Sequence, residues 1–217
     1  MVHKIKVFVA DDHQIFRQGL LKLLDTEKLI EVVGESGDGF ETLQMIRKLH
    51  PEIAILDISM PNMNGLEIIK QINKEELSVE FIILTMFDDE EYFNEALDCG
   101  VKGYLLKDNA ISDLLHCIKC VSRGKYYVSA LLSEFLVNRE EYSRNLKCEY
   151  PGLEKLTTTE KRILKFIAEN KTSKDIAELL FISHRTVQNH RTHICNKLVL
   201  KGPHKLLQFA LENKWYL

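Results

Sequence analysis

Five short apolar runs, each followed by a helical pattern, fix what the first 125 residues can become. The runs are IKVFVA ending at Ala10, EVVGES ending at Ser36, IAIL ending at Leu56, FIIL ending at Leu84 and GYLL ending at Leu106. Each is rich in Ile, Val, Leu or Phe, and none is long enough to bury itself as a helix; such runs read as strands of a parallel sheet. Between them lie amphipathic stretches. Ile15, Phe16, Leu20, Leu23 and Leu24 recur at helical spacing; FETLQMIRKL and LEIIKQI follow, then EEYFNEALDCG closed by Gly100 and ISDLLHCIKCVSRG closed by Gly124. Five such βα units joined by short loops predict a five-stranded parallel sheet with helices on both faces, the charged EVVGES run lying at an edge.

A doubly wound sheet gathers the carboxyl ends of its strands at one crevice, where ligands bind. Here those ends carry Asp11 and Asp12, Asp57, Thr85 and Lys107. Three carboxylates so close repel one another unless a cation sits among them. The set therefore reads as a hard-metal site beside a carboxylate able to accept an acyl-phosphate bond, which is the chemistry of a switch.

The remainder of the chain is of another kind. Residues 126–217 carry 15 Lys+Arg against 10 Asp+Glu, whereas residues 1–125 carry 14 against 22, so an acidic half is joined to a half suited to a polyanion. Residues 125–152 hold one helical pattern, SALLSEFLVNREEYSRN, then polar KCEY and a Pro151-Gly152 breaker, and read as a linker with a mobile second part. From Leu153 the pattern is helical throughout. Thr157 with Glu160 and Thr172 with Asp175 are capping boxes, Ser183 is an N-cap, and Asn170 suits a left-handed C-cap. Pro203 suits the first turn of a last helix, HKLLQFALEN. Only Phe181, Ile182 and Ser183 separate the middle two helices, which is helix-turn-helix spacing.

No apolar run approaches the ~20 residues of a membrane span, and the amino terminus has acids directly after its apolar stretch, so the expectation is a cytoplasmic protein without a membrane partner. The five cysteines are scattered. Cys117 and Cys120 form a CxxC inside a helical pattern with no second pair, and read as ordinary buried thiols.

DDH at 11–13, ILDISMPNMNG at 55–65, LTM at 84–86 and GYLLKD at 103–108 together resemble the receiver domain of bacterial response regulators, a flavodoxin-like α/β fold, over residues 4–124. The resemblance implies Asp57 as phospho-acceptor. It implies Asp11, Asp12, Asp57 and the backbone carbonyl of Ser59 as ligands of Mg2+ (or Mn2+), Thr85 and Lys107 as partners of the phosphoryl oxygens, and Tyr104 as an aromatic switch that turns in on phosphorylation. Ser59 and Phe87, two residues beyond Asp57 and Thr85, would border the phosphoryl group and tune its lifetime.

LTTTEKRIL, IAENKTSKDIAELLFIS and TVQNHRTHICNKL resemble the LuxR-type helix-turn-helix of NarL/FixJ regulators over residues 153–217, a small four-helix all-α domain. On helix 183–198, Val187, Ile194 and Leu198 share a face suited to the core, and Gln188, Asn189 and Thr192 lie opposite, for base edges in the major groove. Arg185, Thr186 and Lys197 are candidate phosphate contacts. The chain departs from the family pattern at Gln188, where lysine is usual, at Thr158 and Thr159, and around KGPHK, which leaves the dimer-forming role of Leu207 and Ala210 in the last helix open. His184, His190, His193 and His204 read as one family-typical helix residue, His190, and three exposed side chains rather than as metal ligands.

The combined expectation is a receiver at 1–124, a linker at 125–152 and a DNA-binding domain at 153–217. It is a two-component transcription factor, not an enzyme, phosphorylated on Asp57 by a histidine kinase, which forms a homodimer on phosphorylation or changes its interdomain contacts and binds double-stranded promoter DNA, with RNA polymerase as a further candidate partner. Two alternatives stay open: an unphosphorylated regulator whose receiver only dimerises, and C-terminal helices that bind protein.

Overall fold

The computed structural model describes residues 3–86 and 88–217. The chain divides into two compact units, one running to Phe135 and the other starting at Leu136.

The first unit alternates β1 (Ile5–Ala10), α1 (Gln14–Asp25), β2 (Ile30–Ser36), α2 (Gly39–Leu49), β3 (Ile53–Leu56), α3 (Gly65–Lys74), β4 (Glu80–Thr85), α4 (Glu90–Asp98), β5 (Gly103–Leu106) and α5 (Ala110–Val121). The strands are all parallel, in the order β2-β1-β3-β4-β5-β6, and EVVGES is the expected edge. The sixth strand, β6 (Tyr127–Val128), corrects the five-stranded expectation: Gly103 and Tyr104 pair with Tyr127 and Val128. Two residues are too few to show a period in sequence, so KYYV passed for linker, yet Tyr127 donates its backbone N–H to Lys102 and Ser129 its own to Tyr104.

Side chains alternate across the sheet. Val7, Val9, Ile53, Ile55, Ile82, Leu84 and Leu105 face α1 and α5, where Leu20, Leu24, Leu114, Ile118 and Cys117 complete a dry cluster. Burial pushes the Cys117 thiol up to about 12, so at neutral pH it is an inert apolar filler, as its helical context implies. Phe8, Ala54, Leu56, Ile83 and Tyr104 point the other way, and Phe93 of α4 meets Tyr104 edge-on at 5.1 Å. Three caps on this unit escaped the sequence reading: Asp38, Asn64 and Asp89 accept backbone N–H groups at the starts of α2, α3 and α4.

A helix α6 (Ser133–Glu149) follows a short 3-10 turn, Ala130–Leu132. It runs through the KCE segment that the composition marked as mobile, because Leu146 and, just beyond the helix, Tyr150 are built into an apolar cluster. The second unit continues with α7 (Thr158–Ala168), α8 (Ser173–Leu180), α9 (His184–Lys197) and α10 (Lys205–Glu212). Both capping boxes form, Ser183 accepts the Thr186 N–H at 3.0 Å, and Asn170 takes φ 58° beyond α7. The Lys171 and Asn170 amides return to Phe166 and Ile167, closing that helix with paired C-terminal bonds. Pro203 lies before α10 rather than in its first turn; His204, at φ 64°, stands between them as N-cap.

Val187, Ile194 and Leu198 are buried, with Ile163, Leu164, Ile167, Ile176, Leu206 and Phe209 around them. Glu160 anchors this packing. It is 3 % exposed, and its Oε2 accepts the Thr157 N–H at 2.7 Å and the Lys197 ammonium at 2.6 Å. Burial alone would raise its carboxyl; the Lys197 ammonium and the Thr157 N–H outweigh burial and hold it below the ordinary 4.5. A carboxyl depressed in the folded state stabilises above its unfolded pKa, and that stabilisation disappears as pH falls through the lower folded value. We therefore expect Glu160→Ala to cost about 1–3 kcal/mol at neutral pH. The cost should shrink as pH falls below 4.5. Denaturant unfolding followed by the single tryptophan, Trp215, reads this directly, since Trp215 belongs to the second unit.

Candidate functional site

At the carboxyl edge of the sheet, the expected residues meet. Asp11 leaves β1 and Asp57 leaves β3, and the Asp57 N–H bonds the Ala10 carbonyl at 2.8 Å, locking the two strand ends together. Lys107 follows β5 and is 6 % exposed, with its Nζ 2.7 Å from Asp11 Oδ2 and 2.7 Å from Asp57 Oδ2. Only the Asp57 contact has hydrogen-bond direction. Asp11 Oδ2 thus lies out of water, close to a charge but without a hydrogen bond among the described residues. Asp57 is itself 3 % exposed. Its burial raises its carboxyl, against the lowering effect of the Lys107 ammonium, while the nearby Asp11 carboxylate adds to the rise.

Asp12 is the exposed member, and one oxygen each from Asp11, Asp12 and Asp57 falls within 4.8 Å of the others together with a His13 nitrogen. His13 was not among the expected ligands; its Nδ1 stands 2.8 Å from Asp12 Oδ1 and its backbone N–H bonds Asp11 Oδ1 at 2.8 Å. Two further residues escaped the sequence reading. Arg17 bonds the Asp11 carbonyl and Glu35, and the Phe16 ring lies 5.1 Å from the Lys107 ammonium, so both steady the pocket from α1. No motif flags either, since both read as ordinary helix positions.

The carboxylates fit a hard divalent cation: three acids against one ammonium, with a buried Asp11 oxygen that accepts no hydrogen bond among the described residues, and the exposed His13 imidazole at the rim beside Asp12. Ser59 lies in the loop after β3, beside a cleft of about 410 Å³ shared with Asp12, Pro61, Asn64 and Tyr92. Gly65 is required there, because a Cβ on it would come within 2.3 Å of the Asp57 carbonyl oxygen. Thr85 ends β4 fully buried. Phe87 lies outside the described residues.

Tyr104 is 1 % exposed and held edge-on by Phe93, which also meets Phe135 at 5.6 Å. Its hydroxyl has no partner among the described residues.

In the second unit, Arg185, Gln188, Asn189 and Thr192 are exposed on α9, opposite its buried face, and Thr186 is half-buried with its hydroxyl 2.8 Å from Ser183 Oγ. Gln188 Nε2 donates to Ser173 Oγ at 3.3 Å and Thr192 Oγ1 to the Gln188 carbonyl at 3.1 Å, so these side chains are held loosely at a surface. Lys197 is placed differently from the others, since its ammonium is committed to Glu160.

Comparison with known proteins converges on this geometry. Residues 7–119 match the response regulator receiver domain family, and residues 154–210 match the bacterial regulatory proteins of the luxR family. The oxygen regulatory protein NreC of Staphylococcus epidermidis is 37 % identical over 214 residues, covering 97 % of this chain and 98 % of that protein. NreC of Staphylococcus aureus is 37 % identical over 216 residues with the same coverage. Among solved structures, the RcsB response regulator of Salmonella typhimurium superposes with a TM-score of 0.59 at 27 % identity, covering 96 % of this chain and 98 % of that one. An RcsB–DNA complex gives 0.59 at 27 % identity over 95 % and 98 %. The receiver domain of a putative NarL regulator from Mycobacterium tuberculosis gives 0.55 at 31 %, covering 57 % of this chain and 99 % of that one. No described helix is long and apolar enough to cross a membrane. With an acidic pocket at the sheet edge of one unit and an exposed polar helix face on the other, the chain belongs to the response regulators that join a receiver domain to a LuxR-type DNA-binding domain.

Proposed function

We propose that Asp57 is the phospho-acceptor and that its phosphorylation by a histidine kinase governs binding of promoter DNA through α9. The observation that carries this reading is the buried Asp57 carboxylate facing Lys107 across 2.7 Å, beside a second buried carboxylate with an unsatisfied oxygen. An Asp57 oxygen forms the new P–O bond as the donor's P–N bond breaks, and the leaving imidazole takes a proton. Lys107, compact and already hydrogen-bonded to Asp57 Oδ2, moves to a phosphoryl oxygen, and the Thr85 hydroxyl donates to another. A divalent cation, Mg2+ or Mn2+, held by Asp11, Asp12, Asp57 and the Ser59 carbonyl, would offset charge on the acceptor and the transferring group.

Phosphorylation acts by stabilising one arrangement of the α4–β5 surface, where Tyr104 packs edge-on against Phe93. A homodimer formed on that surface then sets two α9 helices on half-sites about one DNA turn apart. In this reading the protein is a cytoplasmic transcription factor that contacts RNA polymerase from DNA, and its only chemistry is on itself. Gln188 and Asn189 read base edges, and Thr192 meets a thymine methyl. Arg185 and Thr186 set register on phosphates, and Lys197 joins them only after leaving Glu160.

Acetyl phosphate with Mg2+ should add one phosphoryl group to the wild type, by intact mass, and none to Asp57→Asn. Equal incorporation in the variant would move the acceptor elsewhere. On the DNA side, Asn189→Ala should weaken binding to the cognate duplex by roughly 1–3 kcal/mol while leaving random duplex unaffected. Arg185→Ala should weaken both and lower the salt slope by about one. Fluorescence anisotropy at several salt concentrations separates these outcomes.

A further inference from the structure

The fold brings together three ligand-type side chains that the regulator's switch does not use. Glu160 opens α7, and His190 and His193 lie one turn apart on the flank of α9, so that one carboxylate oxygen and two imidazole nitrogens all fall within 4.8 Å of one another. From these residues we infer a transition-metal site in the DNA-binding domain, of the borderline nitrogen–oxygen class that takes Zn2+ or Co2+ with water completing the shell.

Two observations support it. First, His190 Nδ1 is buried with no hydrogen-bond partner, the one side-chain nitrogen so placed among the described residues, and a buried polar atom left unpaired is destabilising. Second, the Thr157 N–H and the Lys197 ammonium both bond Oε2 of the Glu160 carboxylate, so neither occupies Oε1. Ligands at about 2.0–2.2 Å from a tetrahedral ion stand roughly 3.3–3.5 Å apart. Closing from 4.8 Å therefore takes a movement of an ångström or so, and His193 is exposed and able to rotate. The Lys197 ammonium on Glu160 Oε2 opposes an incoming dication and would turn away toward solvent on binding.

The consequence is mechanical. Thr192 adjoins His193 on the helix proposed to read bases, so a metal bound here pins α9 to α7 at the reading surface. A hard cation does not compete: Mg2+ prefers oxygen ligands and suits the carboxylate pocket of the receiver instead.

The test is a Co2+ titration of the full-length protein in excess Mg2+, read by visible d–d absorption. We expect one equivalent to give the bands of a four- or five-coordinate ion, and added Zn2+ to bleach them. His193→Asn, a change at an exposed position, should weaken Co2+ binding by at least about tenfold with an unchanged far-ultraviolet circular dichroism spectrum. Asp12→Asn, in the receiver pocket, should leave the titration as in the wild type. The absence of d–d bands, equal affinity in the His193 variant, or loss in the Asp12 variant would each overturn the proposal.

Discussion

One ammonium stands between two buried carboxylates at the edge of the parallel sheet, and the chemistry of the first unit depends on that arrangement. Lys107 Nζ sits 2.7 Å from oxygens of both Asp11 and Asp57, while Asp12 adds a third acid at the rim. Removing carboxylates from water is costly unless opposite charge and hydrogen bonds compensate. A single Lys compensates incompletely, as the raised Asp57 carboxyl and the unsatisfied Asp11 Oδ2 record. In the proposed reading, that deficit makes the pocket receptive to a divalent cation and then to a phosphoryl group. The sheet enforces it: β1 and β3 are neighbours joined through Asp57 N–H and Ala10, so their terminal acids cannot separate.

The second unit uses a buried charge in a different way. Glu160 satisfies the start of α7, takes the ammonium of Lys197 from the far end of α9, and lies beside two histidines on the same helix. One carboxylate thus fixes how α9 lies on α7, with Val187, Ile194 and Leu198 packed inward and Gln188, Asn189 and Thr192 left at the surface. The exposed face follows from this packing, because a 14-residue helix with two buried anchors on one side and a third, Leu198, at its C-cap has its opposite side determined.

The strand ends were legible because a period-free apolar run followed by Asp, Thr or Lys marks both a buried strand and its functional terminus. The helical unit was legible through its caps, Thr157, Thr172 and Ser183, whose hydrogen bonds are local in sequence. What escaped depends on distant partners. β6 is two residues long and exists only because β5 offers an open edge. Tyr104 is inward because Phe93 and Phe135 surround that side of the sheet, which no local pattern encodes. Pro151-Gly152 does follow directly on the end of α6 at Glu149, but the second role of Gly152 was hidden: a Cβ there would meet the Lys197 carbonyl at 1.9 Å, so this glycine also packs against the end of α9. The histidines of α9 looked unremarkable because Glu160, which joins two of them, lies 30 residues upstream of His190.

The central claim is that Lys107 partly fills the electrostatic place of the cation. Calorimetric titration of Mg2+ into wild type and Lys107→Met tests it most directly. With the ammonium gone, three carboxylates repel without relief, so the account predicts tighter Mg2+ binding in the variant, by several-fold or more. Equal or weaker binding would contradict it, and would mean that Lys107 organises the pocket rather than balancing its charge.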